Sequence, residues 1–371
     1  MLDDVEVAAL QDTVVWSAFG LAFVLGAVMN RTNFCTMGAV SDILNIGDWT
    51  RMRMWMAAIG VAIISTQGLA AAGLIDLSQS LYTGPNMPVL SYVVGGFLFG
   101  VGMVLASGCG SKTLIRLGGG SLKSLVVFVM LALAAYMTLR GVFAPLRVNW
   151  LDQLAVIQMG VGQDLPRIIG GASVSAGLRM LLGLVIGGGL IVFALASRDF
   201  RRLDPILASV AVGAAITGLW WISGSLGYVA EHPETLEQAF LATNSGRPES
   251  FTFVAPIAYT VELLLFWTDT SRIVTVGIAA VLGMIAGSFA YAVASRGFRF
   301  EGFSGPEDTA NHLVGGILMG IGGVTAVGCT VGQGLTGLST LAAGSLIAFV
   351  SIVIGAVAAI YYQIWRVEQM V

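Results

Sequence analysis

The sequence is poor in charge. Asp, Glu, Lys and Arg together supply 11% of its residues while apolar residues make up 56%, and so few charges cannot cover the surface of a soluble domain. The chain reads as an integral membrane protein. Histidine is nearly missing, at two residues, and cysteine is limited to Cys35, Cys109 and Cys329. These three are dispersed and form no CxxC pair and no Cys/His spacing, which argues against a disulfide framework or a zinc site. No metal or other cofactor is expected. Basic residues do not outnumber acidic ones, 18 against 21 for a net charge of -3, and no basic stripe interleaved with aromatics offers a nucleic-acid surface. The stretch from Met1 to Asp12 is acidic and lacks a positive n-region, so a cleavable signal peptide is not expected.

Glycine, by contrast, is abundant, and it concentrates in a stretch that occurs twice: VGGFLFGVGMVLASGCG from Val94 to Gly110 and VGGILMGIGGVTAVGCT from Val314 to Thr330. At a constant offset of 220, ten of the sixteen positions from Val94 to Cys109 are identical, including Gly95, Gly96, Gly100, Gly102, Gly108 and Cys109. Each copy is an apolar run with small residues near helical spacing, suited to close packing on a neighbouring helix. Each ends at a Gly-Cys step followed by a polar, glycine-bearing turn. Both resume after a Gly-Ser pair, Gly120-Ser121 and Gly344-Ser345, where the serine is expected to cap a new helix. Broken hydrophobic segments in corresponding positions of two halves point to a transporter's substrate site near the membrane midplane.

Further spans are expected over Thr13–Met29, Trp55–Ile75, Ser124–Leu139, Met180–Ser197, Pro205–Ser223, Ile273–Ser295 and Leu346–Ile364, with a short one at Val254–Trp267. The fold expected is an all-α polytopic membrane protein of roughly eight or nine transmembrane helices, with half-inserted helices and loops meeting at the centre. It reads as one domain over residues 1–371 with duplicated units 94–140 and 314–362. Asn30–Ile43 is too polar for a span and is expected to dip inward as a loop, its counterpart being sought at Arg296–Phe300. Arg140–Gly177 reads as an interfacial segment. RDFRR, Arg198–Arg202, is the strongest cytoplasmic marker, supported by Arg51 and Arg53. The acidic loop Gly224–Ser250, with Glu231, Glu234, Glu237 and Glu249, then belongs on the opposite side. If the duplicated units are re-entrant, five crossings separate them and the copies are inverted; if they cross fully, that count makes them parallel. The arginine flanks favour full crossing.

Thiols at loop breaks offer soft, polarizable sulfur and weak S–H donors. Backbone N–H groups at helix starts and glycine turns, at Gly108, Gly110, Gly328 and Thr330, attract anions. Lys112 and Arg116 add positive charge, although both also read as plain flank charges. A sulfur oxyanion with a terminal sulfur fits this combination better than a halide, a phosphate or a cation. The bland readings are a core residue for a cysteine taken singly, an interfacial anchor for Arg31 and a place at a span's mouth for His312. Glu262 is a functional candidate because a membrane carboxylate is costly.

Three motifs in order carry a resemblance. RTNFC from Arg31 to Cys35 followed by Gly38-Ala39, the run from Gly95 to Leu122, and the run from Gly315 to Leu338 with Gly344-Ser345-Leu346 resemble the YeeE/YedE-type sulfur transport proteins, bacterial inner-membrane carriers of thiosulfate. The resemblance implies a central path through an hourglass of helices, with thiosulfate passed by hydrogen bonding between Cys35, Cys109 and Cys329. The implied substrate-binding set adds Gly108, Gly110, Gly328, Thr330, Lys112, Arg116 and Gln333. Because the duplication pairs Cys109 with Cys329, Cys109 is expected at the centre and Cys35 to one side. The chain departs from the family where Lys112 replaces a common glycine and Gln333 a frequent histidine; a glutamine donates but cannot titrate. The family also implies a small cytoplasmic sulfur-carrier protein as acceptor. Competing readings are a membrane sulfurtransferase forming a cysteine persulfide, which lacks an activating His or Asp beside any cysteine, and an importer of a selenium compound or another solute.

Overall fold

The computed structural model describes residues 4–233, 235–269 and 271–369, so Met1 and Glu234 lie outside the described residues. Among the described residues, twelve α-helices have nine or more residues. They are α1 (Asp4–Thr32), α2 (Thr36–Ile46), α3 (Thr50–Ala71), α4 (Val89–Leu105), α5 (Gly110–Gly118) and α6 (Leu122–Leu139), followed by α7 (Ala176–Leu195), α8 (Leu203–Trp221), α9 (Val254–Leu265), α10 (Val276–Ala294), α11 (Pro306–Thr325) and α12 (Ala343–Glu368). Among the described residues, eight segments are long and apolar enough to cross a bilayer. α11, which carries Glu307 and Asp308 in its first turn, is not among the eight but is the duplication's counterpart of α4. Among the described residues strand is confined to two short antiparallel pairs, as expected where every backbone group at membrane depth must be satisfied within its own segment.

The duplicated glycines decide how the helices pack. Built Cβ atoms place Gly95 against Gly322 and Ala326, and Gly102 against Gly315 and Met319. As one index rises the other falls, so α4 and α11 are antiparallel. Gly95 and Gly315 are equivalent in the duplication, as are Gly102 and Gly322, so each copy meets the other through the same residues. The flanking contacts repeat this symmetry. Gly96 and Gly100 of α4 lie on Ala348 and Ile352 of α12, while Gly316 and Gly320 of α11 lie on Val127 and Leu131 of α6. Likewise α1 packs along α10 as α8 packs along α3. The two halves, α1–α6 and α8–α12, form an inverted repeat, and α7 between them is the odd crossing that inverts the second. It packs on α3 through Gly187 and Gly60 and exposes Leu181, Val185 and Val192.

Several expectations are corrected. Val254–Trp267 is not a span: α9 has 12 residues, about 18 Å of helix. Only α6, α7, α8 and α10 therefore separate the duplicated units, and units that cross fully come out antiparallel. The counterpart of the Cys35 loop is not Arg296–Phe300 but the loop before α9, because Phe253 occupies the N-cap of α9 as Cys35 occupies that of α2. Both loops are pinned by aromatics. Phe34 stacks on Trp55 at 4.8 Å, and Phe251 stacks on Phe253 at 6.1 Å. Ser121 does cap α6, its Oγ accepting from Ser124 N, but the N-cap of α12 is Ala342. Ser345 lies in the first turn and corresponds to Ser124. One extra residue is absorbed by a π-helical segment at Gly332–Gly337, which shifts the offset after the break. Arg140–Gly177 packs against the protein through the pair Asn86–Pro88 and Val156–Gln158 and the bridge Asp164 to Ala342, and its last two residues already belong to α7.

The two sides are distinguished by charge. Arg31 meets Asp204 at 2.9 Å and Arg53 donates to Phe193 O, which puts the ends of α1 and α7 and the starts of α3 and α8 together with RDFRR. At the opposite end Val7 packs with Val229 and Leu241 of the acidic loop. Six of the 18 basic residues, Arg140, Arg147, Arg167, Arg179, Arg247 and Arg272, lie on the acidic-loop side, leaving twelve on the RDFRR side. Excess Lys and Arg marks the cytoplasm. Reporter fusions are expected to place Asp199 inside and Asn244 outside; the reverse pattern would overturn this orientation.

Candidate functional site

The break in each copy is built by an uncommon backbone turn. Ala106 N and Gly108 N donate to the carbonyls of Gly102 and Met103, and Ala326 N and Gly328 N to those of Gly322 and Gly323. This helix-ending pattern puts one residue in the left-handed region, usually glycine. Here it is Ser107 (φ 57°) and its equivalent Val327 (φ 58°). A β-branched residue there is strained by about 1–3 kcal/mol, and such strain persists where the surrounding packing over-determines it. Each second helix then reaches back to satisfy the break. Arg116 donates to Ser107 O at 3.2 Å, and the Gln333 amide donates to Ala326 O. The Gln333 Oε1 has no partner and is buried.

The breaks bring the cysteines together. All three are buried and free. Cys109, the N-cap of α5, has its sulfur 3.3 Å from Ser111 Oγ and neighbours Cys35. Cys329 accepts from Gly332 N at 3.4 Å and neighbours Cys109. The order across the centre is Cys35, Cys109, Cys329. Thr330 stands beside the Cys109 sulfur, and its hydroxyl and that of Thr36, next to Cys35, are buried without a hydrogen-bond partner. Gly110 faces Phe253, and a Cβ on Gly108 would press on the Lys112 stem at 3.0 Å. Thr36 was not singled out from sequence, although its place beside Cys35 at a helix start was the available signal.

Toward the RDFRR side the surroundings are cationic. The Lys112 ammonium donates to Asn33 Oδ1 at 3.0 Å and lies within Coulombic reach of Cys35 and Cys109. Asn33 itself is left-handed (φ 51°), a conformation asparagine tolerates. Arg51, read above as a flank, leans over α2, since a Cβ on Gly38 would collide with its guanidinium, and it pairs with Asp42 at 3.1 Å. Arg116 is held by Glu301 at 3.3 Å and, with Lys112 and Asn30, lines a cavity of about 240 Å³. Arg31 and His312 stay apart from the centre, the first in an exposed pair with Asp204, the second beside Asp308. Toward the acidic-loop side, Thr252 Oγ and the Tyr82 hydroxyl stand against Gly332 and line a smaller cavity, about 100 Å³.

Two inverted halves whose broken helices meet at buried polar groups, with a cavity toward each face, define a membrane transport protein. The family can be stated as well. The Sulphur transport family model matches residues 31–358, and the chain belongs to that family. It is 26% identical over 349 residues to the "Thiosulfate transporter TsuA" of Spirochaeta thermophila, covering 92% of this chain and 97% of that protein. It is also 26% identical over 329 residues to the "Thiosulfate transporter TsuA" of Escherichia coli, covering 84% of each.

Proposed function

We propose that the chain imports thiosulfate, or a closely related sulfur oxyanion, across the bacterial inner membrane through the centre where the three thiols meet. One observation carries the reading: Cys329, Cys109 and Cys35 follow one another across the inverted repeat, flanked by the unpartnered hydroxyls of Thr330 and Thr36. Thiols supply soft, weakly donating contacts to a terminal sulfur, and hydroxyls supply harder donors to oxygen. The anion is handed between weak donors, each able to bind and to release it. Gly110, Gly328 and the backbone N–H groups around the breaks add donors without bulk. Lys112 and Arg116, with Arg51 beyond the family-like set, give the RDFRR side a net attraction that draws the anion inward, and Gln333 holds the second break in shape. The relatives named thiosulfate transporters support the substrate class.

The test is uptake of radiolabelled thiosulfate into proteoliposomes, challenged with sulfate, sulfite and selenate. Unlabelled thiosulfate is expected to compete, while sulfate, sulfite and selenate, which carry only terminal oxygens, have little effect. Uptake of a selenium oxyanion in preference to thiosulfate would reassign the substrate, and label retained on cysteine would indicate sulfurtransferase chemistry instead. The RDFRR side also faces a small sulfur-carrier protein that would accept the cargo in the cell. Because the path is complete within this chain, protein-free liposomes are expected to accumulate intact thiosulfate; strict dependence on an added carrier would show that release needs the partner.

A further inference from the structure

Glu262 takes no part in the central path, yet it is one of the most deeply buried carboxylates, with 5% of its side chain exposed. It receives the Tyr136 hydroxyl at 3.0 Å and Arg272 Nη1 at 2.9 Å, with Arg140 Nη1 at 3.7 Å. The arginines come from opposite directions, Arg140 at the end of α6 and Arg272 before α10, and both are partly exposed, 54% and 37%. A guanidinium has five donors in a planar fork, so neither is exhausted by one carboxylate, even though Arg272 also meets Asp269 at 3.5 Å. Both line a cavity of about 210 Å³ on the acidic-loop side, with Asn244, Ser271, Tyr259 and Thr275.

That cavity leads inward. Asn244 and Tyr259 also line the smaller cavity that holds Tyr82 and Thr252. These two lie against Gly332, whose N–H donates to Cys329. A row of polar groups thus runs from the arginine pair to the first thiol. Besides Glu262 and Asp269, which pair with the arginines, Glu249 lies on this row, its carboxylate accepting from Ser245 N and Oγ. Burial pushes that carboxyl above the ordinary carboxylate range, toward its neutral form.

We propose that Arg140 and Arg272, positioned by Glu262 and Tyr136, form an outer recruitment site for a tetrahedral sulfur oxyanion, occupied before the anion reaches Cys329. The proposal rests on the transport reading for its direction but not for its chemistry. Planar forks suit oxyanions through paired N–H donors. A lipid phosphate offers the same chemistry, and Leu264, Leu265 and Trp267 beside the site are exposed; the inward row of polar groups favours the soluble anion.

The experiment uses the full chain in nanodiscs of neutral lipid for binding and in proteoliposomes for uptake. The double variant Arg140→Gln/Arg272→Gln is expected to raise the half-saturating thiosulfate concentration about tenfold, the loss of charge-assisted contacts, with the maximal rate within about twofold. It is also expected to flatten the decline of uptake with added salt. Arg140→Lys/Arg272→Lys keeps the charge and should recover most of the affinity. Cys109→Ala should lose uptake yet keep the thiosulfate-induced thermal shift, which the arginine double variant loses. Parental half-saturation and thermal shift in the double variant would overturn the site. A lowered maximal rate at unchanged half-saturation would make the cluster merely structural, and a response to anionic lipid but not to thiosulfate would make it a lipid anchor. If the parent binds thiosulfate at the arginines but carries none, the transport reading fails while the site stands.

Discussion

Replacing Cys109 by alanine is expected to abolish detectable thiosulfate uptake while the protein accumulates to parental abundance. Cys109 is fully buried, with Cys35 and Cys329 as its neighbours. Without that sulfur the Ser111 hydroxyl, 3.3 Å away, and the Thr330 hydroxyl remain as hard donors, and neither replaces a soft contact. Where water is scarce, losing a contact to a partly dehydrated anion costs about 1–3 kcal/mol or more. At roughly 1.4 kcal/mol per factor of ten, this slows passage by about ten- to several-hundredfold if the contact is made at the barrier. Removing one sulfur atom opens a void of little consequence for folding, about 1 kcal/mol. Serine should rescue poorly, since a hydroxyl is harder and less polarizable than a thiol. Cys35→Ala should hurt less, because Cys109 and Cys329 still span the constriction. Cys109→Ala carrying thiosulfate at the parental rate and abundance would leave an anion path made by backbone amides and hydroxyls, with the cysteines as packing residues.

Gly322→Leu should prevent the protein from reaching the membrane in folded form. A Cβ there would lie 2.5 Å from Phe99 N and 2.6 Å from Gly95 O, both backbone atoms that cannot swing aside. Overpacking ordinarily costs about 1–3 kcal/mol. At this crossing the backbones of α4 and α11 would have to separate, opening the contacts that hold both breaks. In a bilayer such close approach is itself a main source of helix association, since lipid competes equally for apolar side chains. Gly20→Leu, where nothing stands within 4 Å, should be tolerated and serves as the control. Fluorescence size-exclusion chromatography of tagged protein separates the outcomes: a sharp parental peak for Gly322→Leu would show that the crossing is looser than these distances.

What could be read from the chain reflects which contacts leave a pattern in it. The α4/α11 crossing was legible because close helix contact demands small residues at helical spacing, and the duplication repeated the demand at Gly95, Gly102, Gly315 and Gly322. The cationic flank around Lys112 and Arg116 was legible because charges are rare in so apolar a sequence. The counterpart of the Cys35 loop was not. An N-cap position asks only for an extended residue that can be buried, and Cys35 and Phe253 both meet that requirement without resembling each other. Arg51 keeps its place as a flank on the RDFRR side, but its nearness to the Cys35 helix was not legible, for a related reason. Its position in sequence is that of a flank, and only the turn at Gly47 folds α2 back so that the guanidinium lies over Gly38. Glu262 was conspicuous as a buried carboxylate, but its partners Tyr136, Arg140 and Arg272 come from distant segments.

The sequence by itself determined the solvent, the class and the symmetry. Too little charge for a water-facing surface, runs long enough to cross a bilayer and a glycine pattern written twice are local or periodic properties, and no folding is needed to see them. Only the tertiary structure decided direction and proximity. Whether two copies run parallel or antiparallel depends on the number of crossings between them, and that turned on α9 being about 18 Å long and stopping partway. Which thiols touch depended on where two helix breaks and one loop converge, since cysteines 74 and 220 residues apart, 35 to 109 and 109 to 329, become neighbours only when inverted halves interlock.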